Sequence, residues 1–163
     1  MEYIDNDLHR LMETKPRPLT INGVKVPVRQ ILEGVAFLHD HGIMHRDIKP
    51  SNILINNMTS KLKLCNFGLS HHYRMGCIMA ELVVGHILFP GQSEIHQLRC
   101  IYKIMGGCGR LLRTMVVAAA VFKEASSLSA LGFDLLESLL LCDPNRRITA
   151  TNALNYAWFT HEF

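Results

Sequence analysis

No apolar run in this 163-residue sequence could cross a bilayer. The longest, Met115 to Phe122, falls far short of the roughly 20 residues a spanning helix needs. No run of Lys and Arg is present and the net charge is only +3, so nothing marks a nucleic-acid face. The five cysteines (Cys65, Cys77, Cys100, Cys108 and Cys142) are odd in number and lack CxxC spacing. That excludes a disulfide framework or zinc ribbon and favours free thiols in a reducing compartment. The first ten residues, MEYIDNDLHR, are acidic and polar, unlike a signal peptide. The expectation is an intracellular chain, in cytoplasm or nucleus, bound to neither membrane nor nucleic acid.

What is present is ordinary globular material, 48% hydrophobic and 19% charged, in a length suited to one domain. Leu8, Leu11 and Met12 give one side of a short helix that Asp5 or Asn6 can cap. Pro16, Pro18, Gly23 and Pro27 make residues 14–27 read as a loop. Val28, Ile31, Leu32, Val35, Ala36 and Leu38 then form a helical stripe ending near His41 and Gly42. Ile53–Ile55 and Lys61–Cys65 read as two short strands around the polar turn Asn56 to Ser60. Cys77–Val84 is apolar nearly all round, the mark of a buried helix expected to pack on the Val28–Leu38 stripe. Ser93 and Glu94 open a further helix, and Leu131, Leu135, Leu136, Leu139 and Leu140 mark another. Thr149 starts a last helix anchored by Leu154, Trp158 and Phe159. The stretch from Gly106 to Val121 has no readable period. The fold class is mainly α with a small β-hairpin.

The segment richest in chemistry is His45-Arg46-Asp47-Ile48-Lys49-Pro50-Ser51-Asn52. Phosphoryl transfer asks a protein for a carboxylate to orient the attacking hydroxyl, a cation near the moving group, and oxygen ligands for Mg²⁺. Asp47, Lys49 and Asn52 offer those three groups on a loop between a helix and a strand. The segment resembles the catalytic loop of serine/threonine protein kinases. Gly76-Cys77-Ile78-Met79-Ala80-Glu81-Leu82, Leu88-Phe89-Pro90-Gly91, and Leu131 to Leu136 running into Asp143-Pro144 and Arg147 resemble the cyclin-dependent kinases, in their cell-division-cycle-2-like branch.

The resemblance implies Asp47, Lys49 and Asn52 as catalytic residues. It places Glu2 and Ile4 in the hinge that holds adenine, Asp7 at the ribose and Leu54 on the floor of the adenine pocket, with Lys49 and Asn52 also at the nucleotide. It assigns the metal to Asn52 and Asn66. It implies ATP and Mg²⁺ as cofactors and a protein as substrate. The expected architecture is the C-terminal lobe of a kinase over residues 1–163, a single partial domain whose N-terminal lobe and activation segment are missing.

Four departures bear on activity. The chain begins at the hinge, with no Gly-rich loop or strand lysine before it; Gly106-Gly107-Cys108-Gly109 reads as a linker. The Asp-Phe-Gly metal motif reads Asn66-Phe67-Gly68, so the oxygen remains and the charge is lost, and ATP and Mg²⁺ binding should be weak or absent. Only seven residues, Leu69 to Met75, separate Gly68 from Gly76, an internal deletion of the activation segment that leaves Arg46 and Arg147 without their family partners. His71, His72 and Tyr73 replace the usual Asp-x-Trp; adjacent histidines on a helix point apart and make no metal site. His45 reads as a packed histidine rather than a base.

The resemblance therefore implies a kinase-derived chain that is inactive alone. Cyclin binding is not expected, because its docking elements are missing. Two other readings stay open: a pseudokinase fragment serving as a protein-interaction module, and a degenerate gene product with no function.

Overall fold

The computed structural model describes residue 4 and residues 6–14, 19–67, 75–86, 128–141 and 143–160. Glu2, the His71 to Tyr73 replacement, the helix expected at Ser93 and the stretch from Gly106 to Val121 lie outside them.

The first element differs from expectation. Asn6–Asp7 form a strand, β1, and helix α1 runs over Leu8–Thr14. The cap is Asp7, whose Oδ1 accepts from the Arg10 amide at 2.9 Å, in place of Asp5 or Asn6. The 14–27 loop is also corrected, because helix α2 spans Ile21–Asp40. Thr20 caps it by accepting from the Gly23 amide at 3.2 Å, which supplies one orphan donor with a partner. Pro27 has no N–H to give the Gly23 carbonyl. The helix continues through it because Val24 and Val28, both buried, hold the flanking turns against the core.

A single 3₁₀ turn at Pro50–Asn52 leads into β2, Ile53–Ile55, and β3 follows at Leu62–Leu64. The expected hairpin is present, and β1 adds a third antiparallel strand in the order β1-β2-β3. Asp7 pairs with Leu54, which pairs on its other side with Lys63. Helix α2 holds this sheet through Gln30, which donates to the Ser60 carbonyl at 3.1 Å and accepts from the Leu62 amide at 2.8 Å.

Helix α3, Met75–Val84, is buried at every residue from Gly76 onward and packs on α2, as expected, and on α4, Ala130–Leu140. Ser129 caps α4 through the Gly132 amide. The last expected helix is two short ones, α5 at Ala150–Leu154 and α6 at Ala157–Thr160, divided at Asn155 and Tyr156. Thr149 caps α5, and the break lets Trp158 and Phe159 turn fully inward. Arg29 of α2 donates to the Phe159 carbonyl at 2.9 Å and lies 5.0 Å from that ring. None of the helices in the described residues is long and apolar enough to cross a membrane.

Two glycines set the helix spacing. A Cβ on Gly76 would stand 2.8 Å from the Leu140 side chain and 3.0 Å from the Leu139 backbone, and one on Gly132 would stand 2.8 Å from Trp158 Nε1. Gly76→Ala is therefore expected to cost about 1–3 kcal/mol by overpacking, and Leu135→Ala about 2–5 kcal/mol by opening a cavity. Urea unfolding checks both, with lower midpoints at an unchanged slope as the expected outcome.

Candidate functional site

Helix α2 ends at His41, and Gly42 turns the chain away with φ at 71°. The loop that follows runs from Ile43 to the 3₁₀ turn and has two anchors. His45 is 2% exposed, and Asn52 is 4% exposed. Between them Arg46 adopts φ 65°, in the left-handed region, a conformation costing a non-glycine residue about 1 kcal/mol. The buried neighbour on one side and the tethered Asp47 on the other hold it there.

Asn52 is the centre of the polar network. Its Nδ2 donates to the Asp47 carbonyl at 2.9 Å and to Asp47 Oδ2 at 2.7 Å. The same carboxylate oxygen lies 3.0 Å from Lys49 Nζ. Asn52 Oδ1 accepts from Asn66 Nδ2 at 3.1 Å, and its backbone carbonyl accepts from the Cys65 amide at 3.0 Å. The three residues predicted from sequence as catalytic are thus brought together, and Asn66, predicted as a metal residue, joins them. Asn66 takes φ 56°, which an Asn tolerates better than most residues.

The predicted nucleotide residues meet the network through the sheet. Asp7 and Leu54 are opposite each other in β1 and β2, and Asn52 directly precedes β2. Ile4 is half-buried outside any regular element. Asp7 also serves as the α1 cap, so its carboxylate has a structural duty as well. His45 packs as expected, with its ring 4.7 Å from that of Phe67. Its Nε2 is buried and makes no hydrogen bond. Arg147, expected to need a new partner, donates from Nε to the Leu141 carbonyl at 2.8 Å.

The donor set does not suit Mg²⁺. That ion requires oxygen ligands at near-ideal octahedral geometry, normally with carboxylates among them. Asn66 turns N–H, rather than oxygen, toward Asn52, and Asp47 Oδ2 already accepts from Lys49 and Asn52. Among the described residues no cluster of three His, Cys, Asp or Glu side chains could hold a metal.

Cys65 is the neighbour that the sequence reading passed over. It is half-buried, and its Sγ donates to the Asn52 carbonyl at 3.4 Å. Its adjacency to Asn66 was the available signal.

Comparison with known proteins points to the protein kinases. The protein kinase domain family model matches residues 1–75. Cyclin-dependent kinase G-1 of Oryza sativa subsp. indica is 35% identical over 98% of this chain and 31% of its own length. Cyclin-dependent kinase G1 of Arabidopsis thaliana is 33% identical over 99% of this chain and 35% of its own. The chain therefore spans about a third of the length of these relatives. The rice alignment extends over 215 residues, so at least 52 of its positions have no counterpart among the 163 residues here.

Burial first, and then the Asp7 carboxylate, push the Cys65 thiol above its ordinary value. The native chain then holds that proton more tightly than the unfolded chain. The associated stability is present below the ordinary thiol range, about 8.5, and is lost as pH rises through the raised value. At near-neutral pH, Cys65 is expected to react with iodoacetamide more slowly in the native chain than in urea. Peptide mass spectrometry measures both rates, and equal rates would show an unperturbed thiol.

Proposed function

Because this chain belongs to the protein kinase family and is similar along nearly its whole length to cyclin-dependent kinases, we propose that its ancestral chemistry is transfer of the ATP γ-phosphate to protein Ser or Thr. We further propose that the chain does not perform this transfer by itself. The observation that carries the reading is the Asp47–Asn52–Asn66 network, in which the groups for orienting a hydroxyl are assembled while the metal position holds an amide.

In an active enzyme of this type, Asp47 would orient the acceptor hydroxyl and take its proton, and Lys49 would offset negative charge on the moving phosphoryl group. A positioned base supplies about 10²–10⁴-fold, and most of the remaining acceleration comes from holding nucleotide, metal and substrate in line. Here Asp47 Oδ2 is engaged by both Lys49 and Asn52, and Asn66 offers no charge to a metal. The short interval between Gly68 and Gly76 leaves little chain for a substrate-docking segment, and we assign part of the unmatched alignment to that interval.

A second reading, a pseudokinase acting as an interaction module, is favoured by the large apolar side chains beside the loop. Met44 is 61% exposed and Phe67 is 58% exposed. On this reading a protein partner covers them, and cyclin is not that partner.

The test is a mass-spectrometric phosphorylation assay with Mg-ATP and a generic Ser/Thr substrate, comparing the chain with Asp47→Asn. Equal, background incorporation is the expected result; Asp47-dependent phosphorylation would sink the proposal. Thermal unfolding with Mg-ATP gives a second readout. Nucleotide at a hundred times its Kd would add about 2.7 kcal/mol, a rise of several degrees, whereas the expected shift is under about 1 °C.

A further inference from the structure

The amide orientations in the site are fixed by chemistry rather than by choice. Asp47 supplies two oxygens to Asn52, a backbone carbonyl and an ionised carboxylate, and both can only accept. Asn52 must therefore turn Nδ2 toward Asp47, which leaves Oδ1 facing Asn66. An oxygen there needs a donor, and Asn66 meets it with Nδ2 at 3.1 Å. Each link determines the next, so the whole chain of contacts follows from the single charge on Asp47.

We propose that the Asn66 carboxamide takes the place of a divalent cation. It joins the loop before β2 to the segment after β3 by a hydrogen bond, so this corner of the fold is organised without metal. The same geometry makes Asn66 a switch residue of known sign. Asn66→Asp would set a carboxylate oxygen against Asn52 Oδ1, two acceptors with no proton between them, a pair that a divalent cation can bridge. Asn66→Asp would thus convert a metal-independent contact into a metal-dependent one. The proposal deepens the functional reading above and rests on its assignment of the Asp47–Asn52 loop, although not on the chain being inactive.

Thermal unfolding of the full chain in chelator, and then with millimolar Mg²⁺ or Mn²⁺, tests it without nucleotide or substrate. The wild-type midpoint is expected to be the same in chelator and in either cation, to within about 1 °C. Asn66→Asp is expected to melt about 2–4 °C lower in chelator and to recover with either cation. Asn66→Ala is expected to melt lower as well, with no recovery. A wild-type chain that cations stabilise as much as the Asp variant would overturn the proposal. So would an Asp variant that matches wild type in chelator.

Should the Asp variant not fold, ¹⁵N NMR of the wild-type chain decides. The Asn52 and Asn66 side-chain NH₂ signals are expected to survive substoichiometric Mn²⁺, and their selective broadening would contradict the assignment. The outcomes separate from those of the phosphorylation assay. Activity in the wild-type chain would refute the functional reading and leave the amide pair standing. Cation stabilisation of the wild-type chain would refute the amide pair and leave the family assignment standing.

Discussion

A carboxamide buried to 4% exposure must find partners for both of its ends, and Asn52 is such a group. Leaving a buried donor or acceptor unsatisfied costs about 1–3 kcal/mol, a large share of the 5–15 kcal/mol by which a domain is stable. The two ends of Asn52 reach in opposite directions, to Asp47 and to Asn66. Its backbone meanwhile receives the Cys65 amide. One side chain thereby sets the conformation of the loop before β2 and of the chain leaving β3. Lys49 then neutralises the one charge in the group. The loop conformation, including the left-handed φ of Arg46, follows from these contacts.

The rest of the fold supplies the platform. Helix α3 has no polar stripe, so it must be covered on all sides, and α2 and α4 do this. The close approach of α3 to α4 needs a missing side chain at Gly76, and that of α4 to Trp158 needs one at Gly132. Helix α2 links this core to the sheet through Gln30, whose amide satisfies two backbone groups around the β2–β3 turn. Packing in the helical layer therefore reaches the loop through α2 and the sheet. Within the loop itself the buried side chains are His45, Pro50 and Asn52.

The grouping of the loop's polar residues was easier to read from sequence than the element boundaries. Asp47, Lys49 and Asn52 were legible because their spacing is local, and a local turn brings them together. The buried helix over Cys77–Val84 was legible because a segment with no polar face has few other places to go. β1 was not. It is two residues long, Asn and Asp disfavour strands, and its pairing with Leu54 and Ile55 is a long-range decision. The start of α2 was hidden by Pro27, a strong local signal outvoted by the Thr20 cap and by Val24 and Val28 in the core. The division between α5 and α6 serves the inward turn of Trp158, a tertiary need that periodicity does not reveal. At the site, the amide at position 66 was visible in the sequence. That its nitrogen would face Asn52 could be found only once Asp47 and Asn52 were placed.

That last point bears on how the loop holds its form with an amide at position 66. A site built to take a cation must hold oxygen atoms close together and unsatisfied until the cation arrives, which costs stability in the empty state. An amide avoids the conflict, since it presents a donor where a carboxylate would present another acceptor. The resulting group pairs Asp47 with Lys49 and joins two neutral amides, one before β2 and one after β3. On the proposal made above, order in the loop does not depend on ligand. A well-formed Asp47–Asn52 loop is consequently evidence of descent and of local stability. It is not by itself evidence of catalysis.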